Sequence, residues 1–157
     1  FMDRQWENAV AEGKRIDTRS LAENSRIRVN YIIAKSLYTL GERAEALPIL
    51  KELSKNKMTP EGAESAYLLI SNSFDNGDFN SVEKETFAFS DSRTPQSYWL
   101  AKCFILLGDT YAEKENWSQA EATYNSILES YTAKGTDDIA DQIRMRLAKI
   151  EKNIQKK

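Results

Sequence analysis

The feature that most constrains the fold of this chain is an internal repeat with a period of 37 residues. A short motif, made of a large apolar residue, a small residue and a second large residue three positions later, begins at Ile33, Ile70 and Leu107. Such periods are typical of solenoids, in which each unit buries its apolar face only against its neighbours. The sequence therefore predicts a stack of similar units.

A second repeated pattern, in which an alanine or valine follows three positions after the first residue, comes after each copy of the motif. We call it the second landmark; it begins at Arg43, Phe79 and Trp117, with a related Trp6 upstream. Within the units, apolar residues stand three, four and seven positions apart, as on one face of an α-helix. Glycine- and asparagine-containing segments between motif and landmark predict turns. Each unit is therefore predicted to be a pair of helices, and the chain to be all-α.

Prolines mark the expected helix boundaries. Thr59-Pro60 and Thr94-Pro95 each place a capping hydroxyl before a proline at the first helical position, and so predict the starts of the second and third units. Pro48 lies inside the second helix of the first unit, where a proline removes a hydrogen bond. We expect that helix to start late or to kink there.

The third unit resembles the tetratricopeptide repeat family, whose signature is W-x2-L-G-x2-Y followed by A-x3-F. The matching residues are Phe104 in place of Trp, Leu107, Gly108, Tyr111, Ala120 and Tyr124. The resemblance implies a right-handed α-α superhelix of about three helix pairs. The long period is similar to that of repeats in bacterial cell-envelope proteins.

The sequence predicts one domain over residues 1–157, of which the resemblance covers roughly residues 20–131. Its parts are a partial preceding repeat at 1–17, repeats at 20–56, 59–91 and 94–131, and a capping helix at 136–155. Because 1–17 supplies only a second helix, we expect the parent array to be longer.

The expected capping helix is amphipathic. Thr136 is predicted as its N-cap, with Asp137 and Asp138 favourably placed in the first turn. Its apolar face is predicted to comprise Ile139, Ala140, Ile143, Leu147, Ile150 and Ile154. Its outer face is predicted to carry the basic residues Arg144, Arg146, Lys149, Lys152, Lys156 and Lys157.

Composition bears on the function classes. The sequence contains no histidine, the commonest general base and metal ligand. The 22 basic residues are balanced by 24 acidic ones, which disfavours binding to nucleic acid through phosphates. Cys103 is the single cysteine and lies in an apolar run, so we interpret it as a core residue. The sequence predicts neither an enzyme nor a bound cofactor or metal.

In the family that the third unit resembles, ligands bind in the concave groove formed by the first helix of each pair. The resemblance implies that the groove is lined by Arg28, Tyr31, Lys35, Tyr38, Leu68, Asn72, Asp75, Lys102, Ile105, Asp109 and Glu113. The strongest candidates are Tyr31, Lys35 and Tyr38, since two aromatic rings and a cation suit a peptide. Ordinary solvent-exposed helix residues would give the same pattern.

These observations favour a non-catalytic protein–protein interaction module or scaffold that binds a peptide segment or partner protein. A structural spacer that self-associates through its exposed repeat ends is the first alternative. An enzyme using carboxylates or a cofactor, and a helical-repeat RNA reader, are the others. No stretch is apolar enough for a membrane span. The resemblance favours the bacterial periplasm or cell envelope, with the cytoplasm left open.

Overall fold

The computed structural model describes residues 2–133 and 137–156. Within these ranges the chain is helical and contains no strand. The helices are α1 Met2–Arg15, a short 3-10 helix Thr18–Ser20, α2 Glu23–Thr39, α3 Arg43–Leu53, α4 Pro60–Asp75, α5 Phe79–Asp91, α6 Ser97–Glu113, α7 Trp117–Ser130 and α8 Ile139–Gln155. The predicted all-α class is confirmed, whereas the superhelical arrangement stays a prediction.

The described part of the chain divides into two compact units, Phe1–Leu69 (unit 1) and Ile70–Lys157 (unit 2), with the division inside α4. The core of unit 1 contains Ile33, Ala34, Leu37, Ala46 and Leu50. The core of unit 2 joins α6, α7 and α8 through Ala101, Ile105, Leu107, Tyr111, Ala120, Tyr124, Ile127, Ile139, Ile143 and Ile150. The single domain and the repeat boundaries given above stay predictions.

The second landmark of the repeat marks helix starts. Arg43, Phe79 and Trp117 are the first residues of α3, α5 and α7. The helix that contains Trp6 differs, because α1 is already helical from Met2.

The turns that precede α3, α5 and α7 share one hydrogen-bond pattern. After α2, the N–H of Gly41 donates to the carbonyl of Tyr38 at 3.1 Å, and the N–H of Glu42 donates to the carbonyl of Leu37 at 2.9 Å. The same two bonds close α4 around Gly77 and α6 around Glu115. All three central residues have positive φ, of 86°, 73° and 57°. This is the Schellman arrangement, which glycine adopts most readily.

The small residue of the motif in the third unit, Gly108, allows a close contact between helices. A Cβ atom on Gly108 would overlap the Tyr124 ring, so α7 approaches α6 closely at this point. In unit 1, Gly62 lies against backbone carbonyls at the end of α3, a contact that the motif did not predict.

Of the two helix starts predicted from Thr-Pro pairs, one is confirmed and the other is wrong. Thr59 is confirmed as a cap, since its hydroxyl accepts the N–H of Gly62 at 3.1 Å. The prediction for Pro95 is wrong, because α6 begins at Ser97. The hydroxyl of Thr94 accepts the N–H of Gln96, and the N–H of Ser97 donates to the Pro95 carbonyl at 3.0 Å, so a tight turn precedes the helix.

Pro48 does not delay its helix. The helix α3 begins at Arg43 and runs through Pro48 to Leu53. The exposed Pro48 lacks only one N–H donor, and the helix continues because Ala46 and Leu50 on its other face are buried in the core of unit 1.

The last helix begins later than predicted. Its proposed cap, Thr136, lies outside the described residues, and α8 begins at Ile139, whose N–H donates to the Asp137 carboxylate at 3.1 Å. Ile154, predicted on the apolar face, is exposed. Arg146, predicted on the outer face, points to an acidic partner on α6, as described below.

Thr86 suggests a stabilising substitution. It is fully buried in α5, and among the described residues its hydroxyl has no hydrogen-bond partner. Replacing it with the isosteric valine removes an unsatisfied polar atom without changing the packing volume. We expect Thr86→Val to raise the free energy of unfolding by about 1 kcal/mol in urea titrations. A loss of stability would show that the hydroxyl is satisfied.

Candidate functional site

The predicted groove residues fall in both compact units, and each unit is described by itself. Those in unit 1 are Arg28, Tyr31, Lys35, Tyr38 and Leu68. Those in unit 2 are Asn72, Asp75, Lys102, Ile105, Asp109 and Glu113.

In unit 1, Tyr31 and Lys35 share one carboxylate. The Tyr31 hydroxyl donates to Glu64 of α4, and the Lys35 ammonium lies 2.9 Å from the other oxygen of Glu64. Lys35 also donates to the Tyr31 oxygen at 3.3 Å. Glu64 is only 7% exposed, so these two groups neutralise and satisfy a buried carboxylate.

This triad changes the titration of its members. Burial raises the pKa of Tyr31 to about 12, with further contributions from the hydrogen bond and charge of Glu64. Burial lowers the pKa of Lys35, but the hydrogen bond and charge of Glu64 outweigh it, so that the net pKa is raised. Both shifts show groups committed to an internal partner. A peptide would have to compete with Glu64 for them.

Glu64 was not predicted as part of the site. Its signal in the sequence was its position in Gly62–Ala66, where it is the one charged residue in a run of small ones. Small residues mark close helix packing, so a carboxylate among them is expected to need a partner.

The other predicted residues of unit 1 lie in different surroundings. The ring of Tyr38 packs against the core, with the Arg43 guanidinium 3.6 Å from its centroid. Leu68 packs against the same core, and Arg28 is exposed. The grouping of Tyr31, Lys35 and Tyr38 as one peptide site is therefore weakened, because their contacts are largely internal.

In unit 2, one predicted groove residue is buried in the core, and three others have the surroundings described next. Ile105 is 2% exposed and belongs to the core, so it cannot line an open groove. The Lys102 ammonium lies 5.7 Å from the centre of the Tyr98 ring. Asn72 is half-buried, and Asp75 is exposed at the end of α4.

Asp109 is the centre of a polar network between three helices. Its carboxylate accepts the Tyr124 hydroxyl of α7 at 2.5 Å. It also accepts two bonds from the Arg146 guanidinium of α8, at 2.6 Å and 3.0 Å. Arg146 thus faces inward, toward Asp109 on α6. Burial and the bond to Asp109 raise the pKa of Tyr124.

A cleft of about 510 Å³ opens beside this network in unit 2. We call it the α8 cleft; its walls come from the ends of α4 and α6, from the start of α7 and from α8. Its lining residues include Phe74, Asp109, Glu113, Trp117, Met145, Arg146 and Lys149. Met145 is 65% exposed. The cleft brings together predicted groove residues Asp109 and Glu113 with residues of α8 that the groove prediction omitted.

Each unit also has a smaller pocket, and the two pockets are built from equivalent positions. The unit-1 pocket, of about 430 Å³, is lined by Glu23, Arg26, Ile27, Asn30, Glu52, Leu53, Lys55, Asn56 and Thr59. The unit-2 pocket, of about 310 Å³, is lined by Ser90, Ser97, Leu100, Ala101, Phe104, Ser126, Ile127, Ser130 and Tyr131. Seven residues of one list correspond to seven of the other at a constant offset of 74, or two periods.

The raised tyrosine pKa values predict alkaline sensitivity. Tyr31 and Tyr131 have pKa values of about 12 in the folded chain, against 10.0 for an ordinary tyrosine. The unfolded chain therefore releases these protons at lower pH, so that their contribution to stability is complete below pH 10 and is lost as the pH rises to about 12. The raised pKa of Lys35 acts in the same direction.

Urea unfolding at a series of pH values, with tyrosinate absorbance as the second readout, checks this prediction. The urea concentration at the unfolding midpoint is expected to decrease as the pH rises from 10 to 12. The tyrosines of the native chain are expected to titrate at higher pH than those of the urea-unfolded chain. Coincident titration of the two states would contradict it.

Cys103 is confirmed as a core residue, because it is fully buried and burial raises the pKa of its thiol. A protonated, inaccessible thiol is a poor nucleophile. Among the described residues, no acidic and cysteine side chains are grouped in a way that could hold a metal ion. In the same ranges, none of the helices has the length and hydropathy needed to cross a membrane.

No protein-family model, curated protein or solved structure matches the chain. The resemblance to tetratricopeptide repeats and the cell-envelope compartment therefore stay predictions.

Proposed function

We propose that the chain is a non-catalytic protein–protein interaction module of the helical-repeat class, and that a peptide segment of its partner binds in the α8 cleft. The observation that carries this proposal is the exposed Met145 in the lining of a cleft that also contains Phe74 and Trp117. Flexible methionines are common on surfaces that bind varied peptides, and tryptophan is among the side chains that contribute most to binding.

The charges of the cleft favour a peptide that carries both signs. Glu113 of α6 and Lys149 of α8 are exposed and of opposite charge. Asp109 and Arg146 neutralise each other, so they support the wall of the cleft and are not expected to attract charged ligands. We therefore expect the partner segment to place an apolar residue near Met145, with an acidic residue toward Lys149 and a basic one toward Glu113.

The repeated architecture supports the proposal. The recurring turn and the pockets at equivalent positions support a helix pair that repeats along the chain. Stacked helix pairs form surfaces that exist before binding, so the module loses little conformational entropy when a peptide binds.

Selection of peptides from a displayed random library, followed by titration, tests this function. Peptides enriched on the wild-type chain are expected to bind Met145→Glu at least about tenfold more weakly, since the new charge lies on the apolar anchor. Met58→Glu is the matched control, because Met58 is also exposed but lies in unit 1. Equal binding to wild type and Met145→Glu, or failure to enrich any peptide, would contradict the proposal.

Self-association is the second candidate, and one observation favours it. Ile154 is 48% exposed near the end of α8 and lines a shallow pocket with Leu147. A second copy would cover this surface in the way a following repeat covers a repeat end. Sedimentation equilibrium would then show a mass that rises with concentration in the wild type and remains monomeric in Ile154→Glu.

A further inference from the structure

The unit-2 pocket has an apolar floor and a hydroxyl rim. Leu100, Ala101, Phe104 and Ile127 form the floor. Serine hydroxyls from α5, α6 and α7 surround it, and none of the described lining residues is charged. At about 310 Å³ it lies near the lower end of the range of ligand pockets, which begins at roughly 300 Å³. It is therefore suited to one large side chain.

The equivalent pocket of unit 1 has a similar backbone but carries charged side chains. The unit-2 pocket is therefore uncharged because of the residues that line it. Arg26 and Glu52 occupy the positions of Leu100 and Ser126. Two helix pairs of similar construction thus present one charged and one neutral pocket. A charged group would lose its hydration in the neutral pocket without gaining a partner of opposite charge, so only an uncharged group is favoured there.

One aromatic ring of the floor is supported by a second ring. Phe87 of α5 is 45% exposed and packs edge-to-face on Phe104, with 6.2 Å between the ring centroids. An incoming apolar group would therefore contact an aromatic surface whose position is held by a neighbouring ring.

The serines on the rim present acceptors. The Ser126 hydroxyl donates to the carbonyl of Thr123 at 2.8 Å, and the Ser130 hydroxyl donates to the carbonyl of Ser126 at 2.7 Å. Each hydroxyl has one proton and two lone pairs, so the oxygens remain able to accept. Their natural complement is an N–H donor, such as the backbone amides that flank a side chain in a peptide.

We propose that the unit-2 pocket binds one uncharged apolar side chain, leucine-sized or aromatic, of a partner polypeptide, with the serine oxygens accepting its flanking amide N–H groups. This inference rests on the proposed function in protein binding. It adds an anchor site that is separate from the α8 cleft and specifies the chemistry of the residue that occupies it.

The test uses capped tripeptides as probes. N-acetyl-Ala-Leu-Ala-amide and its lysine counterpart are titrated into the whole chain, and the methyl resonances of Leu100, Ala101 and Ile127 are followed by NMR. The leucine probe is expected to give saturable shifts at these methyls. The lysine probe is expected to give shifts at least about tenfold smaller at equal concentration, since its ammonium would be desolvated.

Ser126→Glu is the diagnostic variant, because it gives unit 2 the residue that unit 1 carries at the equivalent, exposed position. It is expected to weaken binding of the leucine probe at least about tenfold by placing a charge at the rim. Ser118→Glu, at the exposed opposite end of α7, is the matched control and is expected to bind as the wild type does.

The inference would be overturned if the leucine probe gave no saturable shifts, or if Ser126→Glu bound it as tightly as the wild type does. Decanol is titrated in the same way as a probe for a lipid chain, and shifts with decanol but not with the leucine probe would also overturn the inference. Because the probes are not the partner, the result is independent of the peptide selection on Met145→Glu. Failure here with success there would leave the α8 cleft as the binding site and remove the anchor pocket.

Discussion

Replacing Gly62 with alanine will destabilise the chain by about 3 kcal/mol, the upper end of the cost of overpacking a core. The third residue of α4 lies so close to the end of α3 that its Cβ would be 2.8 Å from the Leu53 carbonyl oxygen and would penetrate the Asn56 carbonyl group. Both neighbours are backbone atoms, so relief requires a shift of α4 away from α3. The higher helix propensity of alanine recovers only about 1 kcal/mol.

Urea unfolding monitored by far-UV circular dichroism measures this loss. Gly13→Ala is the matched control in the same unit, because the added methyl group would meet side-chain atoms of Ile33, with Cγ1 at 2.5 Å and Cδ1 at 2.8 Å, and not a backbone carbonyl. The control is expected to cost less than Gly62→Ala, because a side chain can change its rotamer whereas a carbonyl group moves only with its backbone. If Gly62→Ala proved as mild as Gly13→Ala, the close approach of α4 to α3 would be wrong.

Asp109→Ala will have the second large effect, a loss of about 2–3 kcal/mol. The substitution removes the acceptor of both the Tyr124 hydroxyl and the Arg146 guanidinium. The side chains of Asp109 and Arg146 are 18% and 29% exposed, so water replaces the lost partner only in part. The expected loss is therefore below the roughly 3–5 kcal/mol of a fully buried pair.

A double-mutant cycle separates the interaction energy of the Asp109–Arg146 pair from the effect of each substitution on packing. Asp109→Leu and Arg146→Met each remove one charge, and the double variant that combines them replaces both charges by apolar groups of similar size. The double variant is expected to be more stable than either single variant, because no unpaired charge remains, and less stable than the wild type, because the Tyr124 hydroxyl has lost its acceptor. Additive losses in the cycle, without coupling, would show that the two side chains do not interact.

The helices could be predicted because their signals are local. Apolar spacing and the turn residues identified the starts of α3, α5 and α7 at Arg43, Phe79 and Trp117. The start of α6 could not be predicted in this way. The Thr94-Pro95 pattern is the same as that of Thr59-Pro60, but its hydroxyl caps a tight turn that precedes the helix by two residues.

The site was harder to predict, because position on a helix face does not determine what packs against that face. Counting along α6 placed Ile105 in a groove, although the core of unit 2 covers it. Counting along α8 placed Arg146 in solvent, although Asp109 on another helix holds it. In unit 1, Lys35 lies on its helix as predicted, but no local pattern pairs it with Glu64, which lies 29 residues away in the sequence.

Site-specific photo-crosslinking tests whether a partner polypeptide binds in the α8 cleft. Benzoylphenylalanine is introduced in place of the exposed Met145, or of Met58 as the control, and cells that produce the chain from its own gene are irradiated. We expect one discrete crosslinked partner through position 145, absent at position 58. Crosslinks at position 58 but not at 145, or only to other copies of the chain, would contradict it.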